Sequence, residues 1–459
     1  MNVKKWNRRS AIAAMSSAAA GVFLAESASG KSMENSGNPL RHPRHPTAPL
    51  SAIVLGAGGR GNVYASYSER FPGQLRIVGV AEPIDFRRKR FAERYGIDQK
   101  MQWTTWERAF DGARQADILI ITTPDHLHYA PAMHGIELGY DILLEKAIAQ
   151  SWEQCLDIYR HNQRYRNIVG ICHVLRYTPY FRRMKAAVEE GRIGEIISVQ
   201  HLEPVEHIHM SHSFVRGNWR REAESTPILL SKSCHDTDIL RWIIGKPCRR
   251  ISSFGSLSHF NVHNAPAGAP YRCTDGCPAQ AHCPYYAPKI YRDSTSWRHH
   301  LAIEVEDQAS IMKALREGPY GRCVYRCDND VADHQVVMME FEERITAAFS
   351  MEAMTHYGGR RTRIFGTHGD MYGDEQHITI TNFSSGTSET WDAKSATAAE
   401  SGHGGGDYGL LKDFIAAVSM QDPRMLSSTL EASMESHLMG FRAEESRHSG
   451  AIMEVNFTG

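Results

Sequence analysis

A glycine-rich turn near the start of the chain has the residue types and spacing of a phosphate-binding loop. Gly56, Gly58 and Gly61 form the pattern G-x-G-x-x-G, with Gly59 and Arg60 before the last glycine. In such a turn the first glycine permits a tight bend, the second lets the backbone approach a pyrophosphate, and the third lets helix and strand pack closely. The phosphates then lie at a helix N-terminus, where free N–H groups favour negative charge.

An acidic residue lies at the spacing at which such loops meet a ribose. Glu82 ends the second apolar segment, about 20 residues after Gly61. A carboxylate there accepts hydrogen bonds from the ribose hydroxyls and repels a 2′-phosphate, which favours NAD. Arg87 and Arg88 are close enough in sequence to accommodate that phosphate, so NADP is the alternative cofactor.

These residues need a parallel sheet to bring them together. Apolar runs at 52–55, 75–81 and 117–124 alternate with helix-compatible stretches as far as Cys172. This alternation predicts a doubly wound α/β Rossmann domain over residues 50–172. Ligands of such sheets bind beyond the carboxyl ends of the strands. The rule predicts one crevice that is lined by the loop 56–61, Glu82, Thr123, Pro124, Glu145 and Lys146.

The pattern changes after residue 172. Segments such as 336–341 and 345–351 alternate apolar and polar residues with a period of two. This predicts an α+β domain over residues 173–459, with a largely antiparallel sheet that has one open face. Open sheet faces often pair between copies of a chain, so we expect a homodimer or a homotetramer.

Further short motifs follow the glycine loop. They are Thr122-Thr-Pro-Asp-His-Leu-His128, Glu145-Lys146, Arg176-Tyr177, Gly191-Arg-Ile-Gly194-Glu195, and Cys234-His-Asp-Thr-Asp238 followed by Arg241-Trp242. Together with the loop, they make the chain resemble the Gfo/Idh/MocA oxidoreductase family, named for glucose-fructose oxidoreductase and inositol dehydrogenase. The resemblance covers nearly all of residues 50–450.

The resemblance implies roles for individual residues. Lys146 and His235 match a lysine and a histidine that lie by the nicotinamide and assist proton transfer from a sugar or polyol hydroxyl. A histidine of near-neutral pKa, or a lysine in a buried cationic site, can accept that proton. The cofactor-binding set is completed by Thr123, Pro124, His128 and Glu145, and the predicted substrate contacts are Arg176, Tyr177, Trp219 and Asp238.

The sequence departs from the family pattern at both catalytic motifs. Ala147 stands where the lysine motif has proline. Ser231 and Ser233 stand where the histidine motif has aspartate and glycine, so no carboxylate at position 231 can orient the base. Asp236 is a candidate replacement for that acid, and the adjacent Lys232 alters the electrostatics of the site.

The first residues resemble an export signal. A basic start with Arg8-Arg9 precedes an alanine-rich run at 11–25 and small residues. This order predicts a twin-arginine signal peptide over residues 1–30, a linker over 31–49, and a periplasmic protein. A soluble nicotinamide pool is not expected there, so the cofactor must stay tightly held.

The resemblance therefore implies an NAD(P)-dependent oxidoreductase that acts on a sugar, a sugar derivative or a cyclic polyol, with a tightly held cofactor. One alternative is an NAD-dependent glycosidase that oxidises its substrate transiently, eliminates the aglycone and returns the hydride. A second alternative, which Ser231 keeps open, is a cofactor-bound protein without turnover.

Five cysteines gather in the second half of the chain. Cys273, Cys277 and Cys283 lie in a Pro/Gly-rich insert at about 261–292, and Cys323 and Cys327 follow. The three insert thiolates with Cys327 could hold a tetrahedral structural zinc. Disulfides fit an exported protein equally well.

The composition gives no indication of nucleic-acid binding or of membrane association. The 52 basic residues balance the 52 acidic residues, so nothing points to nucleic acid or to an anionic membrane surface. No apolar run after the N-terminus is long enough to span a bilayer.

A second glycine-rich run lies at 402–407. No strand precedes it, so it is predicted to be a flexible loop that precedes a helix.

Overall fold

The computed structural model describes residues 48–294, 296–395 and 402–457. The predicted signal peptide and nearly all of the predicted linker lie outside these residues, so export stays a prediction. Within the described ranges, no helix combines the length and the apolar character needed to cross a membrane.

The first sheet is wholly parallel. Its strands are β1 (Leu50–Leu55), β2 (Leu75–Ala81), β3 (Gln102–Trp103), β4 (Ile118–Ile121), β5 (Asp141–Leu144) and β6 (Val169–Ile171). They lie in the order β3-β2-β1-β4-β5-β6. The central strands β4 and β5 are buried along their whole length, because helices cover both faces of the sheet. The predicted doubly wound Rossmann fold is confirmed.

Helices cover the two faces of this sheet. They are α1 (Gly59–Ala65), α2 (Tyr67–Arg70), α3 (Asp85–Tyr95), α4 (Tyr129–Glu137) and α5 (Trp152–Tyr165). Tyr64 and Phe91 pack on one face, and Ile136 and Ile158 pack on the other. The carboxyl ends of β1, β2, β4 and β5 therefore open on one crevice, as the sheet rule requires.

The second sheet has nine strands and is mostly antiparallel. After α6 (Pro179–Glu189) the chain forms β7 (Ile196–Pro204), α7 (His207–His209), α8 (Ile228–Ser231), α9 (Cys234–Ile244), β8 (Cys248–Ser256), α10 (Ala287–Tyr291), α11 (Gln308–Glu317), β9 (His334–Phe341), β10 (Thr346–Glu352), β11 (Arg361–Gly366), β12 (Gly369–Gly373), β13 (His377–Asn382), β14 (Ser388–Asp392), α12 (Gly406–Met420), α13 (Leu430–Ser449) and β15 (Met453–Glu454). The strand order is β14-β13-β12-β11-β7-β10-β9-β8-β15, and only β7 and β10 pair in parallel among these strands.

One face of this sheet is buried and the other is open, as predicted. Val337 and Met339 of β9 point into the core, which helices α6, α9 and α13 complete. On the opposite face, Phe254 of β8 is 63% exposed and Met338 of β9 is 52% exposed. The α+β class predicted for the second domain is confirmed.

The last two long helices return to the first sheet. Leu410 and Phe414 of α12 join the core on one face, and Met434 of α13 joins the core on the other. Helix α13 is bounded by a Thr429 cap, whose hydroxyl accepts a hydrogen bond from a main-chain N–H, and by Gly450 with positive φ. The nucleotide domain is thus built from two separate parts of the chain.

Candidate active site

The glycine loop between β1 and α1 is closely packed on one side and open on the other. Gly56 has a φ of 97°, and a Cβ there would lie 2.7 Å from the carbonyl oxygen of Thr122. A Cβ on Gly61 would overlap the carbonyl oxygen of Gly56, so Gly61 lets α1 pack against β1. A Cβ on Gly58 or Gly59 would meet no atom within 4 Å. The open side leaves room for a pyrophosphate, so the loop fits NAD.

Glu82 lies at the tip of β2 and is tied to this loop. Its Oε2 accepts the N–H of Ala57 at 2.9 Å, and its Oε1 accepts the N–H of Ile84 at 3.0 Å. Each carboxylate oxygen keeps a lone pair that could accept a ribose hydroxyl. Arg88 donates hydrogen bonds to the carbonyl oxygen of Glu82 and to the carboxylate of Asp85. Arg88, one of the two arginines that could have accommodated a 2′-phosphate, is therefore already paired.

His128 joins the ends of two strands behind the crevice. Its Nε2 lies 2.8 Å from the carbonyl oxygen of Thr123, which follows β4 before Pro124. Its Nδ1 lies 2.6 Å from the carbonyl oxygen of Ala147, and the peptide bond between Lys146 and Ala147 is cis. Both ring nitrogens are thus occupied by main-chain groups, and the residue positions the segment that carries Lys146.

Arg60, predicted to contact the cofactor, holds two acids of the crevice together. Its Nε donates to Glu145 at 2.6 Å, and its terminal nitrogen donates to Asp407 at 2.6 Å and also to Tyr64. The side chain of Asp407 is fully buried at the start of α12, where His403 lies 3.2 Å from it. This cluster joins α12 to the glycine loop and to the end of β5.

Replacing Arg60 with methionine is expected to lower the free energy of unfolding by about 3 kcal/mol at pH 7, because Glu145 and Asp407 would remain buried without it. Burial raises the pKa of both carboxyls, but hydrogen bonds and positive charges, Arg60 among them, lower it overall. The stabilisation is therefore present above about pH 4 and is lost as the pH falls and the acids are protonated.

Urea unfolding of the Arg60→Met protein between pH 7 and pH 3 measures this effect. The stability difference from wild type should shrink as the pH falls. Arg94→Met is the matched control, since Arg94 pairs with Glu69 on the surface and such pairs contribute at most about 1 kcal/mol. A difference that does not change with pH would contradict the electrostatic account.

The structure brings the two predicted catalytic residues together. The Nζ of Lys146 donates to the carbonyl oxygen of Ser231, at the end of the short helix that precedes His235. His235 is 8% exposed, and its Nδ1 has no hydrogen-bond partner in the described chain. Burial, followed by the positive charge of Lys146, lowers the pKa of His235 well below its ordinary value.

Two further buried histidines lie near His235 and were not predicted. His173 follows β6 and lies 6.0 Å from His235 between ring centres, with its Nε2 3.6 Å from Asp238. His437 of α13 lies 5.3 Å from His173, and both of its ring nitrogens contact main-chain groups. Burial and nearby cations lower the pKa of His173, so an uncharged imidazole faces His235.

The predicted substrate residues Arg176, Tyr177 and Asp238 contact each other or the main chain. Arg176 forms two hydrogen bonds to the carboxylate of Asp238, at 2.5 and 2.7 Å, and both side chains are buried. The hydroxyl of Tyr177 lies 2.8 Å from the hydroxyl of Ser428 and accepts its main-chain N–H. These residues support the wall behind His173.

Trp219 connects the two domains at the mouth of the crevice. Its Nε1 donates to Asp125 at 3.2 Å. The same carboxylate accepts the hydroxyls of Ser225 and Thr226 at 2.9 and 3.2 Å. Asp125 directly follows Pro124, so this contact fixes the loop of the second domain on the end of β4.

Asp236 does not orient His235, contrary to the candidate role predicted for it. Its Oδ1 accepts hydrogen bonds from Arg360 at 2.6 Å and pairs with His201 at 3.0 Å. Lys232 is likewise engaged, at 2.8 Å from Glu203. Successive residues of a helix point in different directions, so Asp236 faces the second sheet while His235 faces the crevice.

The cysteines do not form the predicted zinc site. All nine thiols are free, and the one group of metal-ligand side chains that converges within the described residues is Glu222, Glu444 and His448. Arg447 already pairs with both of these acids. A structural zinc is therefore not supported, and no disulfide replaces it in the described ranges.

The insert is held by packing instead. Its residue Tyr291 packs with Ile311 and Leu315 of α11 in a small hydrophobic core. The buried guanidinium of Arg216 donates to the carbonyl oxygen of Tyr285, inside the insert, at 2.6 Å and to that of Arg322, beyond it, at 2.8 Å. Nothing in the insert thus requires a metal for its structure.

Two family models match the chain. The model described as an oxidoreductase family with an NAD-binding Rossmann fold matches residues 50–173. The model of the GFO/IDH/MocA C-terminal domain matches residues 181–372. These ranges carry the glycine loop, Lys146 and His235.

Individual relatives agree with these models. YteT of Bacillus subtilis strain 168 is 25% identical over 364 residues, which is 75% of this chain and 83% of that protein. Inositol 2-dehydrogenase 1 of Saccharopolyspora erythraea is 26% identical over 206 residues, 44% of this chain and 57% of that protein. The structure of a levoglucosan dehydrogenase with NADH and levoglucosan superposes with a TM-score of 0.63 at 17% identity, covering 89% of this chain and 99% of that chain.

Proposed function

Because this chain belongs to the Gfo/Idh/MocA family of NAD-dependent oxidoreductases, we propose that it oxidises a CH–OH group of a sugar, a sugar derivative or a cyclic polyol. The substrate class is supported by the relatives, which include an inositol dehydrogenase and a levoglucosan dehydrogenase. The choice of NAD is supported by Glu82, since a carboxylate beside the ribose disfavours a 2′-phosphate.

The main support for this proposal is that Lys146 and His235 lie close together. They come from different domains, yet the ammonium of Lys146 reaches the main chain just before the helix of His235. Both lie at the carboxyl edge of a sheet whose first loop leaves space for a pyrophosphate. Oxidation of an alcohol needs this combination of a nucleotide-binding edge and a nearby proton acceptor.

The cofactor, His235 and Lys146 have different roles in the proposed reaction. NAD, when bound, supplies the acceptor for the electron pair and the hydrogen that leave the carbinol carbon. The lowered pKa of His235 keeps its imidazole neutral at physiological pH, so a ring nitrogen can accept the hydroxyl proton. The ammonium of Lys146 can stabilise the negative charge that develops on the substrate oxygen.

A tight hold on the cofactor is supported by a contact between α3 and the segment that follows α10. Arg90 of α3 donates to the carbonyl oxygen of Glu304 at 3.1 Å. Helix α3 follows Glu82, so this contact places the segment after α10 next to the helix that borders the ribose position. Retention of NAD in each cycle would suit an exported enzyme, and residues 1–30 support export by the twin-arginine route.

The open sheet face with Phe254 and Met338 supports a homodimer or a homotetramer.

The near-ultraviolet spectrum of the purified protein tests this proposal. We expect NAD to be released on denaturation and the absorbance at about 340 nm to rise when the bound cofactor is reduced by the correct sugar. A net keto sugar or lactone identifies a dehydrogenase, whereas a freed aglycone without net redox change identifies the glycosidase alternative. Cofactor absorbance that no sugar or polyol changes would contradict both.

A further inference from the structure

The three histidines that follow β7 differ in their contacts. Nδ1 of His207 lies 3.0 Å from the carbonyl oxygen of Thr355, and Nδ1 of His212 lies 2.8 Å from the hydroxyl of Tyr291. By contrast, the ring of His209 forms no hydrogen bond with any described residue, and its side chain is only partly buried. The ring nitrogens of His209 are therefore available to a ligand.

The backbone holds His209 in an unusual turn. Glu206 has a φ of 74°, and its carboxylate accepts the main-chain N–H groups of Ile208 and His209, at 3.2 and 2.9 Å. The chain then forms a π-helical turn over Met210–Arg216. Positive φ at a non-glycine residue and π-helical turns are both uncommon, and both occur preferentially at functional sites. A simple connecting loop would need neither feature.

The strand that leads into this turn ends beside the contact of the Lys146 ammonium. Glu203 of β7 pairs with Lys232 at 2.8 Å. Lys232 directly follows Ser231, whose carbonyl oxygen accepts a hydrogen bond from Lys146. Burial, followed by positive charges that include both lysines, lowers the pKa of His209 well below its ordinary value. The imidazole therefore lies near Lys146, on the side of the second domain.

Aromatic rings position His209 from the other end of the segment. Its ring centre lies 5.9 Å from that of Phe214 and 5.5 Å from that of Trp297. The ring of Phe214 lies 6.2 Å from that of Trp219, which binds Asp125 at the mouth of the crevice. A row of rings thus connects His209 to the end of β4. The imidazole is held by packing, and its nitrogens remain without a partner in the described chain.

We propose that His209 binds a hydroxyl group of the substrate other than the one that is oxidised, and so selects polyhydroxylated rings. Its lowered pKa keeps the imidazole uncharged, so one ring nitrogen donates a hydrogen bond and the other accepts one. A hydroxyl group can do both, whereas an ionised carboxylate offers no donor. This inference rests on the proposed function and adds a specificity-determining residue to it.

Variants of His209 test this inference on the full protein with its bound cofactor. The probes are myo-inositol, glucose, galactose and levoglucosan, and cofactor reduction is followed at about 340 nm over a range of probe concentrations. For the probe that reacts fastest, His209→Ala should raise the half-saturating concentration about five- to tenfold, which is the effect of one lost hydrogen bond. The limiting rate should change by less than about threefold, because that bond is made equally before and during the reaction.

Two further variants separate binding from a structural role. His209→Gln keeps an uncharged donor and acceptor, so it should bring the half-saturating concentration back to within about threefold of wild type. His207→Ala is the matched control, since His207 contacts the main chain of Thr355 instead, and it should leave both constants unchanged.

Deoxy analogues of the same probe show whether the contact is direct. Each analogue lacks one hydroxyl group, and one of them should bind wild type about five- to tenfold more weakly than the probe itself. The same analogue and the probe should bind His209→Ala equally, because the partner of that hydroxyl is gone. Losses that simply add for every analogue would overturn the inference.

The results distinguish this inference from the proposed function. If wild type and His209→Ala are half-saturated at the same probe concentration, the subsite is wrong and the oxidoreductase remains. If no probe reduces the bound cofactor, the proposed function fails, and this inference fails with it.

Discussion

Replacing His235 with asparagine is expected to lower the rate of cofactor reduction about 10²- to 10⁴-fold, which is the usual contribution of a general acid or base. Asparagine keeps a polar side chain but cannot accept the hydroxyl proton. Because burial and neighbouring cations lower the pKa of His235, the wild-type rate should fall on the acid side only well below pH 6.5. The variant should lose this acid limb, and a pH–rate profile with the bound cofactor measures both effects.

His263→Asn is the matched control, since His263 lies exposed on the insert. It should leave the rate and the pH profile unchanged. The amount of cofactor that copurifies must be the same in all three proteins, so that the rate reports on chemistry alone. A His235→Asn protein that retains its cofactor, its rate and its acid limb would remove the histidine from the mechanism.

Two glycine substitutions should separate cofactor binding from stability. Gly61→Ala should lower the free energy of unfolding by about 1–3 kcal/mol, because its Cβ would overlap the carbonyl oxygen of Gly56. Gly58 has extended backbone angles that alanine can adopt, and its Cβ would meet no protein atom. Gly58→Ala should therefore fold normally but weaken NAD binding at least tenfold, since the methyl group occupies the pyrophosphate space.

Thermal unfolding and the NAD released from each variant measure the two effects. Gly73→Ala is the control, because a Cβ there also meets no atom within 4 Å and it lies away from the loop. A Gly58→Ala protein that keeps its full content of NAD would mean that the pyrophosphate lies elsewhere.

The strands that follow a simple pattern were predictable. Continuous apolar runs marked β1, β2, β4 and β5, since these strands are buried on both faces. Strands β9 and β10 alternate cleanly, because one face is in the core and the other is open. Strands β8, β11 and β12 were missed because each buries a single large apolar side chain, and β14 was missed because it buries none. Strands β3 and β15 have only two residues each.

Contacts between distant segments were the least predictable part of the site. Lys146 and His235 were found through short motifs, whereas His173, His403 and Asp407 carry no motif of their own. His173 could have been found, because it directly follows β6 at the carboxyl edge of the sheet. The segment with His403 and Asp407 was predicted to be a flexible loop, and only the tertiary structure brings it onto Arg60. The cysteine spacing suggested a metal. The packing that holds the insert instead has no recognisable pattern in the sequence, so it could not be weighed against that interpretation.

The return of α12 and α13 to the first sheet also bears on how the protein is made. Residues 50–172 leave the ribosome long before Leu410, Phe414 and Met434, whose side chains complete both faces of their core. The nucleotide domain therefore cannot reach its final packing during synthesis of its own strands. Its complete core forms only after the second sheet and the helices beyond it have been translated.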